Sequence, residues 1–261
     1  MPFPNILGKT PLMQLAFVLL QKNVDLDPVR VRASLAKVWD EPIAIVDGSG
    51  EGEVLSFSVG ERDTLTLMPV SAPIPDGEAE AMAGYSISSL GTDWQIAAHE
   101  AHLVATLQEE DNGISTQRLL RFTRLLAGVI DGVDGVLGIY WGEAHATHDP
   151  DFFRDMAMAD DILPVHLWNG VSIAANDERV SLLSLGMKQL GQPNLKLTGP
   201  RAEGNELVGY FFNLLEYAAK RGTPVADGET VGRSADEKLV VRHEPSPVTE
   251  GETVWCVDLP A

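Results

Sequence analysis

One short polar segment carries side chains that could bind a metal ion or move a proton. Glu143, His145, His148 and Asp149 lie close together in the sequence. Imidazole and carboxylate groups are ligands that divalent metal ions such as zinc take in proteins. His145 and His148 could both reach one ion, with Glu143 or Asp149 supplying a carboxylate. The alternative is that hydrogen bonds within the loop and packing of His148 against the next helix account for these residues.

The segments on either side of this turn are expected to hold it in place. The apolar run Val136–Trp141 predicts a buried strand, because it is short, rich in β-forming residues and bounded by glycine. Asp149 and Pro150 predict a helix start, since aspartate accepts from free N–H groups and proline lacks one. Loops on a rigid scaffold often carry function. We therefore expect Asp149 to be a helix cap and Trp141 to be a core anchor.

A second histidine motif lies upstream. His99, Glu100 and His102 form H-E-x-H, which is one residue shorter than the zinc-protease motif H-E-x-x-H. The segment Ala97–Gln108 is predicted to be a strand with alternating faces. In a strand, His99 and His102 point to opposite faces and do not share a metal. A structural role is therefore predicted for this pair.

The motifs of common nucleophile and cofactor sites do not occur in the sequence. There is no G-x-S-x-G nucleophile elbow and no G-x-x-x-x-G-K-[ST] phosphate loop. The glycine-rich run from Asp47 to Glu53 is not followed by a predicted helix, so the helix end that would bind phosphate is missing and a hairpin turn is expected. No cofactor is predicted.

The charge balance restricts the partners that the protein can attract. The 261 residues include 38 acidic and 19 basic side chains, which give a formal net charge of −19. A field of this sign repels nucleic acid and anionic lipid and attracts a basic protein. The alternative is a solvated acidic surface without a partner. The acidic turn residues Glu109, Glu110 and Asp111 are predicted to be exposed and available to such a partner.

Two features predict a cytoplasmic protein that does not enter a membrane. Cys256 is the only cysteine, so no disulfide can form within the chain, which fits a reducing compartment. The apolar run Leu12–Leu20 contains Gln14 and is too short to span a bilayer, and no basic leader precedes it. This run is predicted to be a strand.

The order of the predicted elements indicates an α+β fold with mainly antiparallel sheets and helices packed on them. The clearest helices are expected at Ile114–Ile130 and Ala202–Arg221, from their apolar stripes. Three consecutive strands are expected at Leu163–Ala174, Val180–Leu190 and Asn194–Thr198.

Similar element orders indicate two similar halves, residues 1–132 and 133–261, in one compact structural unit. Each half begins with a buried strand and an Asp–Pro helix start, at Asp27–Pro28 and Asp149–Pro150. An internal duplication would explain this pattern. Chance likeness between two α+β stretches is the alternative.

Several short motifs together carry a family resemblance. They are MPVSAPIP at 68–75, Trp94, GIYW at 138–141, HDPDFF at 148–153, LW at 167–168 and SLGMKQLGQPNLKL at 184–197. With them the chain resembles an uncharacterised bacterial family, the domain-of-unknown-function family numbered 4261. The resemblance supplies no activity for any residue. It implies a bacterial cytosolic protein, and the position of some members near genes of contact-dependent toxin delivery implies a toxin-neutralising role.

We predict a non-enzymatic bacterial cytoplasmic protein that binds a basic protein, in its specific form an immunity or adaptor protein of a toxin-delivery (secretion) system. The alternative, from a different class, is a metal-dependent hydrolase that uses Glu143, His145 and His148. The sequence leaves the oligomeric state open.

Overall fold

The chain forms two compact units. The computed structural model describes residues 13–47, 54–90, 94–109 and 116–260. The first unit comprises Met1–Ile74 and Ala98–Leu137, and the second comprises Pro75–Ala97 and Gly138–Ala261. These units differ from the predicted halves, 1–132 and 133–261, chiefly because residues 75–97 group with the later part of the chain.

The described residues form five α-helices and fourteen strands. The helices are α1 Pro28–Val38, α2 Glu78–Met82, α3 Thr116–Gly132, α4 Pro150–Ala157 and α5 Gly204–Arg221. The strands are β1 Met13–Leu20, β2 Ile43–Asp47, β3 Leu55–Val59, β4 Asp63–Val70, β5 Ala101–Gln108, β6 Val136–Trp141, β7 Ala146–His148, β8 Val171–Ala175, β9 Arg179–Ser184, β10 Asn194–Pro200, β11 Thr230–Val231, β12 Leu239–Val240, β13 Arg242–Pro245 and β14 Thr253–Asp258. The predicted α+β class with mainly antiparallel strands is confirmed.

Strands of the first unit pair in the order β2-β3-β4-β5-β1, and every pair is antiparallel. One face of these strands is buried. In β3, for example, Leu55, Phe57 and Val59 are buried, while Ser56 and Ser58 between them are half-buried. This alternation follows from the two-residue repeat of a strand that covers a core on one side.

Helices α1 and α3 of the first unit approach each other closely. A Cβ atom added to Gly128 would lie 3.0 Å from the Cα of Leu35, and one added to Gly132 would lie 3.0 Å from the Cα of Val31. Glycine at these positions lets the two backbones come together. The predicted apolar stripe of α3 is confirmed, since its four residues are buried: Leu119, Phe122, Leu126 and Val129.

The second unit contains the antiparallel pair β6–β7 and a sheet in the order β13-β14-β10-β9-β8. In this sheet β10 and β14 run parallel, and the other neighbours are antiparallel. Helix α5 contacts β9 and β10. Large aromatic side chains fill the core, among them Trp168 and Trp255. Trp141 is 1% exposed, which confirms its predicted burial.

Two of the predicted strand assignments in this unit are wrong in part. Residues 163–170 are not in a strand and contain a turn at 165–167, in which the Leu167 N–H donates to the Pro164 carbonyl. Proline has no N–H for a strand ladder, which explains the failure. The expected strand Val180–Leu190 ends at Ser184, and Met187–Leu190 form a 3₁₀ helix instead.

An internal duplication is not shown by the two units. Each contains three strands in antiparallel order and a fourth strand beside the third, β2-β3-β4-β5 in the first unit and β8-β9-β10-β14 in the second. The fourth strand is antiparallel to its neighbour in the first unit and parallel in the second. The shared order of elements therefore does not extend to shared strand pairing.

The apolar run near the N-terminus forms strand β1, as predicted, and pairs with β5. Among the helices in the part of the chain that the structure describes, none has the length and apolar character needed to cross a membrane.

Candidate functional site

The turn between β6 and β7 is held by close backbone contacts. Residues 142–144 form one turn of 3₁₀ helix that ends at His145, whose φ of 52° and ψ of 42° are left-handed. The Gly170 N–H donates to the Ala144 carbonyl oxygen, 2.6 Å away. A Cβ atom on Gly170 would lie 2.6 Å from the His145 carbonyl oxygen. Glycine is therefore required at position 170, and the turn is positioned by packed backbone.

His148, at the end of β7, is fully buried and hydrogen-bonded at both ring nitrogens. Nε2 lies 3.0 Å from the Leu167 carbonyl oxygen. A carbonyl can only accept, so Nε2 carries the proton and donates. Nδ1 lies 2.7 Å from the Ser86 Oγ and accepts from that hydroxyl. Burial lowers the pKa of His148 to about 4, so the ring is neutral at neutral pH.

The Ser86 Oγ and the His148 Nδ1 are as close together as a nucleophile and its general base, but neither group is accessible to a substrate. Ser86 is 1% exposed and His148 is 0% exposed. The Ser88 Oγ lies 2.7 Å from the Ser86 Oγ and extends the same buried network. An efficient general base has a pKa near the working pH, whereas the pKa of this imidazole is well below it. The pair therefore joins residues 86–89 to β7 rather than forming a catalytic site.

The side chains of the three predicted metal ligands do not converge on one solvent-accessible point. Glu143 and His145 are exposed, whereas His148 is buried with both nitrogens engaged. Within the described ranges, no group of three or more His, Cys, Asp or Glu side chains is placed to hold a metal ion. The Asp149 Oδ1 accepts the Phe152 N–H at 2.8 Å, which confirms its predicted role as a helix cap. The geometry gives no support to a metal at this turn, and the metal site stays a prediction.

The H-E-x-H residues hold a neighbouring irregular segment of the first unit. The Ile74 N–H donates to the His99 Nε2 at 2.7 Å, and the His102 Nδ1 donates to the Ala72 carbonyl oxygen at 2.8 Å. Both histidines are buried, and burial lowers the pKa of His102. The two rings supply the hydrogen bonds that residues 72–74 do not obtain from a sheet.

Glu109 is not an exposed turn residue. Its side chain is 4% exposed, forms an ion pair with Arg118 and lies 3.5 Å from Arg121. The Gln14 Nε2 also donates to its carboxylate at 3.2 Å. The predicted exposure of Glu109 is therefore wrong, because arginines of α3 and a glutamine of β1 take its carboxylate out of solvent. Glu110 and Asp111 lie outside the described residues.

Arg121 connects several parts of the first unit. Its guanidinium binds the Asp63 carboxylate and donates to the Glu41 Oε1 at 3.1 Å. It also lies over the Trp39 ring, 5.3 Å from the ring centre. The sequence places Arg121 outside the apolar stripe of α3, but it does not show that the side chain reaches back to buried carboxylates.

A surface on and after α4 combines exposed carboxylates with exposed apolar side chains. Phe153 and Ala157 bury one side of this helix, which turns its other side outward. Met158 is 37% exposed and Ile162 is 41% exposed, between and beside exposed aspartates. We call the following six residues the α4 surface: Asp151, Asp155, Met158, Asp160, Asp161 and Ile162. Such a surface can attract a basic protein and then form an apolar contact with it.

A half-open cavity of about 410 Å³ lies in the first unit. It is lined by residues 22–27, Arg30 and residues 132–134. Arg30 and Asp134 form a two-pronged ion pair at its wall, with both N–O distances at 2.7 Å. The volume is sufficient for a small molecule. Because these wall charges pair with each other, the geometry defines no class of ligand. No local sequence pattern indicates this cavity, because its lining residues come from segments that are far apart in the chain.

The molecule is thus an α+β protein in which His148 of the predicted histidine turn is buried, while Glu143, His145 and the α4 surface are exposed. Residues 183–258 match the model of the family described as "Domain of unknown function (DUF4261)", so the resemblance found in the sequence is confirmed for this segment. The matched segment runs from β9 to the end of β14. The quoted motifs before residue 183 lie outside it. No curated protein and no solved structure has significant similarity to the chain.

Proposed function

We propose that this chain is a non-enzymatic bacterial protein that acts in the cytoplasm and binds a basic protein through the α4 surface. The observation that supports this proposal is the combination of Met158 and Ile162 with exposed aspartates. Carboxylates accelerate the approach of a basic partner, and apolar side chains stabilise the complex once water has left the contact. Methionine also adapts its shape to different partners.

The net charge of the whole chain, −19, also favours a basic partner. It repels polyanions and attracts a basic protein from a distance. The lone Cys256 is buried and unpaired, so the fold does not depend on an oxidising compartment. In its specific form, the proposal is an immunity or adaptor protein of a toxin-delivery system, and this form rests on the family resemblance.

No observation favours the alternative of a metal-dependent hydrolase. It would require His148 to give up its hydrogen bonds to Ser86 and Leu167 and to reach solvent. Measurement of zinc, manganese and iron in the purified protein separates the two classes. The hydrolase alternative requires close to one bound ion per chain that is lost in His145→Ala.

The proposal is tested by capture of proteins from bacterial lysate with tagged wild-type chain and two matched variants. The first variant combines Asp155→Asn with Asp161→Asn in the α4 surface. The control combines Asp177→Asn with Glu178→Gln, two exposed residues after β8. Both variants remove two negative charges, so the effect on net charge is the same.

We expect a basic protein to be recovered with the wild type and the control, and at least several-fold less of it with the α4 variant. Equal recovery of the basic protein with both variants would show that it binds at a surface other than the α4 surface. An acidic captured protein, or one that both variants lose equally, would contradict the proposed recognition.

A further inference from the structure

The five-stranded sheet of the second unit has two edge strands, β13 and β8, and the edge formed by β13 is blocked. The Ser246 N–H donates to the Glu252 carbonyl, so residues at even positions of β13 direct their backbone groups toward β14 and those at odd positions away from it. At the odd positions, His243 donates its outward N–H to the Asp227 Oδ1 at 2.8 Å, and Pro245 has no N–H. The β13 edge therefore offers no free donor to another strand.

Strand β8 forms the other edge and, within the described ranges, pairs with β9 alone. The Leu185 N–H donates to the Gly170 carbonyl at 3.0 Å, just before β8 begins. The Asn176 N–H donates to the Arg179 carbonyl at 2.9 Å, just after β8 ends. Both bonds direct the backbone groups at even positions of β8 toward β9. The N–H and carbonyl groups of three residues therefore point away from β9: Val171, Ile173 and Ala175.

The C-terminal half of β8 is open to solvent. Ile173 is 41% exposed, and Ala174 and Ala175 are also exposed, whereas Val171 is buried. Ile173 and Ala175 therefore present two N–H donors and two carbonyl acceptors at an accessible edge. Charged side chains and proline are the usual means by which edge strands avoid pairing, and β8 contains neither.

The side chains at this edge indicate what an added strand would carry. In the register of the sheet, Leu197 of β10, Leu182 of β9 and Ile173 of β8 lie side by side in one row. Their exposed fractions are 0%, 2% and 41%. The apolar row is thus covered except at its outer end. An apolar side chain on an added strand would lie next to Ile173 and continue the row.

We propose that β8 binds an extended segment of a basic protein, which adds to the sheet as a further strand antiparallel to β8. The accessible N–H and carbonyl groups match an extended backbone, and Ile173 matches an apolar residue opposite it. The basic character of the partner follows from the net charge of −19 and rests on the proposed function. The same charge disfavours a strand from a second copy of this chain, because two such chains repel each other.

The test uses a synthetic peptide as its probe, so it does not depend on finding the natural partner. The peptide Lys-Lys-Val-Thr-Val-Thr-Val-Lys-Lys places its valines opposite the odd positions of β8 and lysines at both ends. Fluorescence anisotropy of the labelled peptide is measured against a concentration series of the whole chain. A second peptide has N-methylated valines, which cannot donate to β8. A third peptide has glutamate in place of every lysine.

Two substitutions of Ala175 provide a matched pair of chain variants. Ala175→Pro removes an outward N–H and places the proline ring in the path of the added strand, while all hydrogen bonds between β8 and β9 remain. Ala175→Thr is the control, because it keeps the N–H and favours a strand. Circular dichroism and the thermal midpoint show whether each variant is folded. If Ala175→Pro does not fold, the N-methylated peptide tests the same hydrogen bonds on the wild type.

We expect the wild type and Ala175→Thr to bind the lysine peptide with a Kd below about 1 mM, in the range of a short and weak contact. Binding should be at least about ten-fold weaker for Ala175→Pro and for the N-methylated peptide, since both lose hydrogen bonds and keep the two backbones apart. The glutamate peptide should bind at least several-fold more weakly than the lysine peptide, and added salt should reduce this difference.

Four results would overturn the proposal. The first is a wild-type chain that does not bind the lysine peptide at about 1 mM. The second is equal binding by folded Ala175→Pro or of the N-methylated peptide, which would assign the peptide to another surface. The third is equal binding of the glutamate peptide, which would remove the basic character of the partner. The fourth is a wild-type dimer in sedimentation velocity that Ala175→Pro abolishes, which would assign the edge to a second copy.

Failure of the proposed function gives a different result. In that case no basic protein is captured through the α4 surface, while the lysine peptide still binds to β8. The variant with Asp155→Asn and Asp161→Asn separates the two contacts further. It should bind the lysine peptide within about two-fold of the wild type, because it leaves β8 unchanged and alters only charges that salt screens.

Discussion

The two units differ in the polar groups that they bury: the first unit contains buried carboxylates as well as the histidines His99 and His102, whereas the second contains a neutral network around His148. In the first unit the carboxylates of Asp63 and Glu109 are paired with arginines of α3. In the second unit the buried groups around His148 are neutral, such as Thr147, whose hydroxyl donates to the Ala79 carbonyl at 2.6 Å. A buried carboxylate needs an opposite charge, whereas a neutral group needs only a hydrogen-bond partner. The units should therefore lose stability under different perturbations.

The largest effect is expected from Arg121→Met. Arg121 binds Asp63 and lies 3.5 Å from Glu109, so its removal leaves buried carboxylates short of a counter-charge. Breaking a buried pair from one side usually costs about 3–5 kcal/mol. Chemical denaturation measures the loss in the free energy of unfolding.

The control for this prediction is Arg30→Met. Arg30 also makes an ion pair, with Asp134, but that pair is exposed to solvent and little change is expected. If the two variants were equally stable, the Arg121 network would not be the ionic core of the first unit.

The second unit should lose stability as the pH falls. The pKa of His148 is about 4 in the folded protein, against an ordinary value of 6.5. Between these values the unfolded chain binds a proton that the folded protein does not, so the free energy of unfolding falls as pH drops from 6.5 to 4. The loss is about 3 kcal/mol for a shift of this size. Denaturation curves over this pH range measure it.

His148→Gln should flatten this pH dependence relative to the wild type. Part of it will persist, because burial also lowers the pKa of His166 to about 4. An unchanged pH dependence in a folded variant would show that His148 is not the buried titrating group described here.

A smaller effect is expected at the two Asp–Pro helix starts. Asp149→Ala should cost about 0.5–2 kcal/mol, while Asp149→Ser should cost much less because serine also accepts from free N–H groups. Asp27 caps α1 in the same way, accepting from Val29 and Arg30 at 2.9 and 3.2 Å. If alanine and serine at 149 weakened the fold equally in denaturation, its carboxylate would have a role beyond capping.

The parts of the fold that local patterns determine were predictable from the sequence. Strands β1 and β6 and both Asp–Pro caps follow from apolar runs and cap chemistry, and the structure has them where expected. The parallel pairing of β10 with β14 was not predictable, since these strands are far apart in the chain and no local pattern records their direction.

The candidate sites, too, depend on contacts between distant segments that no local sequence pattern predicts. His148 lies next to polar residues in the sequence, but its partners Ser86 and Leu167 come from distant segments and make it internal. Glu109 likewise lies in an acidic run, but Arg118 and Arg121 bury it. The α4 surface could have been found from the acidic and apolar residues at 151–162. A helical pattern with Phe153 facing inward places the neighbouring aspartates outward.

The most direct test of the proposed function is the association rate of the captured partner with the chain across a salt series. Surface plasmon resonance would compare the wild type with the Asp155→Asn, Asp161→Asn variant. Exposed charges act over about 8–10 Å at moderate ionic strength, so they change association more than dissociation. We expect the wild-type association rate to fall at least several-fold from low to high salt, and less steeply for the variant. An association rate that does not change with salt would contradict recognition through the acidic surface.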